Sequence, residues 1–243
     1  MKFIFLSVTI LLSLASCTRV YYAPNTVHPA LLTDKDEMRV NAIYSAGQGS
    51  ELRAMDLQMA YAIQRNWGIM ANGFYATNKK NDYIDKANGT YGEIAGGYFK
   101  NFKQSKWMAE VYSGIGGGWV NNYFEQNDYS RIGISKFFVQ PSIGYKGPDV
   151  ELAFTSRFAV VHWKVNKAQY DHPNYPEDVD YVAISPTFFA WEPGLVFRFG
   201  TKDVKAQIGF TVSDHGKRVL LDTESLMLNA GLSISLHARS NGK

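Results

Sequence analysis

FFAWEPGLVFRFGTKDVKAQIGFTVS, Phe188 to Ser213, consists of two alternating runs around a polar turn. In the first run Phe189, Trp191, Pro193, Leu195, Phe197 and Phe199 fall on one face, opposite Phe188, Ala190, Glu192, Gly194, Val196 and Arg198. In the second, Val204, Ala206, Ile208, Phe210 and Val212 oppose Lys205, Gln207, Gly209 and Thr211. Successive side chains of a strand point to opposite faces, so the stretch predicts a β-hairpin with one apolar and one mostly polar face.

The same unit recurs on both sides. Strands are expected at Met38 to Ala46, Leu52 to Ile63, Trp67 to Thr77, Tyr91 to Phe102, Lys106 to Asn122, Ile132 to Tyr145, Val150 to Lys164 and Ser225 to His237, which with the hairpin makes about ten. The faces of the Tyr91 segment are the hardest to rank. Gly114 to Gly118 (GIGGG) has the composition of a phosphate loop, but no helix follows it, and close packing within a strand is the better reading.

Alternation alone does not separate a soluble barrel from a membrane one. The polar face does. It is populated by Gly, Ala, Ser, Asn and Gln with sparse charges, which suits a narrow lumen filled by side chains. The apolar face carries bulky residues around the whole circuit, more than a small interior holds, and is better placed against lipid. Connections alternate between short turns (Gln64–Asn66, Lys103–Ser105, Lys146–Asp149, Gly200–Asp203) and mostly longer loops, the longest being Val165–Ser185. Trp67, Trp107 and Tyr145 lie beside short turns, and Tyr44, Tyr75 and Trp119 toward the loops, as two aromatic girdles would. The fold class is therefore all-β: a closed antiparallel up-and-down transmembrane β-barrel of about ten strands. An even strand count puts both chain ends on the short-turn side.

The chain begins with a basic Met1-Lys2 and an apolar run, Phe3 to Leu14, too short to span a membrane as a helix. Leu14-Ala15-Ser16-Cys17 then resembles the lipobox of bacterial lipoproteins, which implies cleavage before Cys17 and its acylation, palmitate included. Cys17 is the only cysteine, so it has no internal disulfide partner. Together the strands and leader resemble the small outer-membrane β-barrel proteins of Gram-negative bacteria, with a Bacteroidota-like lipoprotein signal peptide. The resemblance implies location in the cell outer membrane, with the lipid anchor on the periplasmic side and the long loops outside. Residues 1–16 are thus read as signal peptide, 17–37 as an N-terminal tether or periplasmic plug, with a tether preferred, 38–237 as barrel and 238–243 as tail. A periplasmic lipoprotein barrel or sandwich is the alternative architecture.

Little in the sequence indicates chemistry. A net charge of +3, with Lys and Arg dispersed, gives no reason to expect nucleic acid as a partner. Glu110, Arg157, Glu192 and Arg198 are expected in the lumen as a polar network. Unpaired charges there are costly, so a plug of ion pairs is preferred to an ion path. Asp171, His172, Glu177, Asp178 and Asp180 have no diagnostic metal-ligand spacing. His162, Ser156 and Asp128 are tied together by no hydrolase motif, and His215 beside Asp214 is a loop dipeptide. The expected function is non-enzymatic, structural or interactive through the long loops. No catalytic residue, metal or cofactor is expected. The expected partners are outer-membrane lipid and a possible envelope protein. A lipid-modifying or proteolytic barrel enzyme and a small pore are the alternatives.

Overall fold

The computed structural model describes residues 20–48, 51–79, 86–102, 105–123, 128–169, 177–215 and 223–237. Ten strands, β1 (Glu37–Gly47), β2 (Leu52–Gln64), β3 (Trp67–Lys79), β4 (Lys86–Asn101), β5 (Trp107–Tyr123), β6 (Tyr129–Lys146), β7 (Val150–Gln169), β8 (Thr187–Gly200), β9 (Val204–Val212) and β10 (Leu226–His237), pair in sequence order. β1 also pairs with β10 and closes the barrel. Every pairing is antiparallel; at the closure Glu37 lies opposite His237 and Gly47 opposite Met227. Closure leaves no sheet edge to be satisfied.

The alternation read from the sequence becomes an outside and an inside. Met55, Leu57, Ile94, Ile115, Phe137, Phe189, Ile208, Leu228 and Leu232 stand exposed on the outer wall, Met55 at 63% and Ile94 at 62%. A continuous apolar exterior of this kind is what a bilayer solvates and water does not. At the short-turn end Trp67 meets Tyr98 and Trp107 meets Tyr145 edge-on, at ring separations of 5.5 and 5.8 Å. Near the loops, Arg131 lies over the ring of exposed Trp119.

The opening hairpin turns through Gly200, whose φ of +151° is open to glycine. A Cβ there would meet the Val204 carbonyl oxygen at 2.5 Å. The Thr201 N–H donates to that same carbonyl at 2.8 Å, closing the turn.

Two boundaries move by five residues. β4 begins at Lys86, before the expected Tyr91, and β7 continues to Gln169. The Lys86–Thr90 run has no apolar period. It is a strand because β3 and β5 flank it, with Lys86 opposite both Lys79 and Tyr123. The long β7–β8 loop also contains a helix, α1 (Glu177–Ile184), not anticipated from the sequence. α1 buries Val179 and Val182, and Val182 packs in the cluster of Trp163 and Phe188.

The largest correction concerns the segment before β1. Read preferentially as a loose tether, residues 20–32 are packed inside the barrel, where Val20, Tyr21, Tyr22, Val27, Ala30, Leu31 and Leu32 are all buried, and residues 33–36 emerge at the rim, with Asp34 and Lys35 exposed. This plug starts at the long-loop end, where the Glu224 N–H donates to the Tyr22 carbonyl at 2.9 Å. It finishes at the short-turn end, where the Asp36 N–H donates to the Ala62 carbonyl at 2.9 Å. The chain therefore crosses the lumen before β1 begins. The even strand count does place the start of β1 on the short-turn side, but the chain ahead of it does not stay there.

Candidate functional site

The site is the lumen and the plug that occupies it. Three lengths of the plug meet three sets of wall residues.

At the long-loop end, Tyr22 Oη donates to Glu192 Oε1 at 2.5 Å, and Arg157 Nε donates to Glu192 Oε2 at 2.5 Å. Lys136 Nζ lies 3.1 Å from Glu93 and 3.4 Å from Glu192. Asn25 Nδ2 donates to Glu93 Oε2 at 2.8 Å, so a plug side chain joins the ionic cluster. Above it His215, outside the spanning strands, is held between Ser213 Oγ at 2.9 Å and Thr223 Oγ1 at 3.1 Å. Its ring stands edge-on to Tyr22 and Phe188. Burial holds the His215 imidazole below its ordinary pKa, against the upward pull of the Glu192 and Asp214 carboxylates.

At mid-height, Thr26 Oγ1 donates to Asp56 Oδ2 at 2.9 Å and His28 Nδ1 lies 2.8 Å from Asn72 Oδ1. Glu110 accepts the backbone N–H groups of Ala30 and Leu31 at 2.8 and 2.9 Å. Leu31 sits at φ +48°, an uncommon conformation for a branched side chain. The bidentate grip of Glu110 on two consecutive N–H groups is the compensating interaction.

At the short-turn end, Arg39 donates through Nη2 to Glu151 Oε1 at 3.0 Å. Arg198 reaches the same carboxylate at 3.2 Å and Gln207 Oε1 at 2.7 Å. Lys146 pairs with Glu37.

The plug's backbone is bonded to the wall along its length. Arg157, Gln58, Gln140, Arg198, Lys146 and Asn101 donate to the carbonyls of Asn25, Thr26, His28, Pro29, Leu31 and Thr33, at 2.8 to 3.0 Å. A buried backbone carbonyl without a donor is costly, so this wall is complementary to a polypeptide and not merely lined by polar groups.

Of the four lumen residues expected from the sequence, Arg157 and Glu192 are brought together. Arg198 pairs with Glu151, and Glu110 holds the plug backbone. Arg39, Glu93, Lys136 and Glu151 join the clusters and were missed, as were Glu37, Asp56 and Lys146. Inward parity was their available signal, but β4 gave no clear face for Glu93, and Arg39 lies at the β1 start, where few residues establish the period. Cys17 lies outside the described residues.

The candidate enzyme residues do not assemble. Ser156 and His162 are on one strand, six residues apart, a separation of about 20 Å at the usual strand rise. Ser156 Oγ instead accepts from Trp191 Nε1 at 2.8 Å, and His162 Nδ1 lies 2.9 Å from Thr187 Oγ1. Asp128 is buried at the β6 entrance. Among the metal candidates, Asp171 and His172 lie outside the described residues, and among the described residues no three His, Cys, Asp or Glu side chains converge.

No protein-family model matches the chain, and no curated protein matches it. Solved structures that resemble it include the N-terminal β-barrel domain of Pseudomonas aeruginosa OprF, at 8% identity over 83% of this chain and 98% of that one, TM-score 0.38. The KdgM porin is similar at 11% identity over 82% of this chain and 99% of that one, TM-score 0.37. The NanC porin is similar at 13% identity over 82% of this chain and the whole of its own, TM-score 0.35. At this distance, the functional reading rests on the lumen itself.

Proposed function

We propose that this chain is a sealed, non-enzymatic outer-membrane β-barrel lipoprotein with a structural role or a surface-interaction role carried by its long loops. The observation that carries the reading is the plug: wall donors meet its carbonyls from Asn25 to Thr33. Acids and bases are interleaved along the lumen, Glu93 and Glu192 with Lys136 and Arg157, Glu151 with Arg39, Arg198 and Lys205, and Glu37 with Lys146, so the lining is not of one sign to select an ion. A cavity of about 40 Å³ beside Tyr22, Tyr91 and Lys136 has room for a few waters.

Outer-membrane location is supported by the apolar outer wall, the closed sheet and the aromatic pairs near the strand ends. Lipidation at Cys17 is supported by the leader and its lone cysteine. Outer-membrane lipid is then the partner of the outer wall, and an envelope protein a candidate partner of the loops.

The test is electrical. The purified full chain in planar bilayers is expected to be silent, while migrating faster on gels unheated than boiled, as a folded barrel does. Reproducible conductance steps from the intact chain would establish the pore reading instead. Turnover of phospholipid, lipid A or a peptide substrate would establish an enzyme.

A further inference from the structure

We infer that the lipid anchor lies on the same side of the membrane as the long loops, in the leaflet that the loops face. The inference rests on reading Cys17 as the acylated residue, and it reverses the side expected from strand parity.

The direction of the plug carries it. Tyr22 forms a parallel bridge with Thr223, in the β9–β10 connection. Val20 and Tyr22 share a cavity with Leu52, Ala87 and Val120, which lie toward the long-loop ends of their strands. Eleven residues later, Asn101 donates to the Thr33 carbonyl beside the β4–β5 turn. Tyr61 Oη donates to Asp36 Oδ1 at the opposite end from Tyr22. The segment therefore runs from loop end to turn end as it approaches β1.

Chain reach then settles the anchor's side. Only Thr18 and Arg19 separate Cys17 from Val20. Three Cα steps span at most about 11 Å. The apolar band of such a barrel is about 25 Å tall. Cys17 cannot return to the short-turn side while Tyr22 keeps its place. A short-turn-side anchor and a seated plug exclude each other. With the plug seated, the acyl chains enter the loop-side leaflet, and the barrel is pinned at that face by lipid as well as by its girdle.

The experiment uses the full chain in a Gram-negative host, with Arg19→Cys as the probe so that the length from Cys17 to Val20 is unchanged. Reference cysteines replace Gln48 in the β1–β2 loop and Lys202 in the β8–β9 turn, and correct folding of each is verified by heat-dependent gel migration. Labelling of intact cells by a large polyethylene-glycol maleimide at the level of Gln48→Cys supports the inference. Labelling that is absent on intact cells and appears only when the membrane is opened, as for Lys202→Cys, overturns it. Acylation is read separately, by incorporation of an alkyne fatty acid that Cys17→Ser abolishes. An unacylated wild-type chain would overturn the lipoprotein reading, and the anchor with it, whatever the labelling shows. An acylated chain with Lys202-like labelling would overturn the side alone.

Discussion

At the scale of single residues, the lumen is held by charges that are tolerable in partnership and costly alone. Glu192 accepts from Tyr22 and Arg157 and lies near Lys136. Removing one member of a buried pair leaves an uncompensated charge, whereas replacing both by apolar groups does not. Glu192→Ala is expected to destabilise the folded barrel by about 3 kcal/mol. Adding Arg157→Met should recover part of that loss, read as urea midpoints in a double-mutant cycle; strictly additive losses would show that the two do not act as a pair. His215 gives a pH dependence whose sign follows from its depressed pKa. The neutral ring is favoured in the fold, so its contribution is complete above the ordinary imidazole value of about 6.5 and is lost as pH falls through the lower folded value. Cleavage between β9 and β10 by an acid-tolerant protease should rise on acidification in the wild type and show a flatter pH profile in His215→Gln.

At the scale of elements, the plug is seated by glycines of the wall. A Cβ on Gly144 would meet Leu31 Cδ2 at 2.5 Å, and one on Gly194 would meet Val27 Cγ2 at 2.5 Å. The missing side chains are sockets for the plug's apolar residues, and close approach is the reason for glycine at both positions. Gly144→Leu is expected to expel Leu31 and loosen the plug's lower half while the barrel remains closed. A maleimide reagent should then label Val27→Cys several-fold faster in the Gly144→Leu background. Unchanged labelling would mean that the plug does not depend on this seat. The strands themselves should be insensitive, since their ladders are paired on both sides all the way round.

At the scale of the whole molecule, a barrel of this strand number is a wall whose interior must be filled by something. Here the wall side chains fill part of it, and residues 20–32 fill much of the rest. Deleting Val20 to Thr33 removes a backbone acceptor from each of Arg157, Arg198, Gln58, Gln140 and Lys146. The deleted chain is expected to keep its heat-dependent migration and to gain conductance steps that the full chain lacks. A shortened chain that stays silent would show that the wall side chains seal the lumen without the plug.

Much of this was legible in order. Alternation with period two is a local property, so the hairpin at Phe188–Ser213 and its repeats could be read residue by residue, along with the bulky side that faces outward. The strand number followed, and so did the inward placement of Glu110, Arg157, Glu192 and Arg198. β4 was less legible because Gly89, Gly92, Gly96 and Gly97 carry no side chains to mark a face, and its early part is a strand only through its neighbours. The plug was legible only as the alternative to a tether, and its course through the barrel was not. A segment surrounded by wall on every side has no inner and outer face, and so no period. Its direction is fixed by contacts far away in sequence, Tyr22 with Glu192 and Asn25 with Glu93. The sequence by itself determined the sheet, because a strand's faces are written in consecutive residues. Only the tertiary structure decided what fills the lumen and at which end the chain enters it, because those depend on which distant donors and acceptors meet once the barrel has closed.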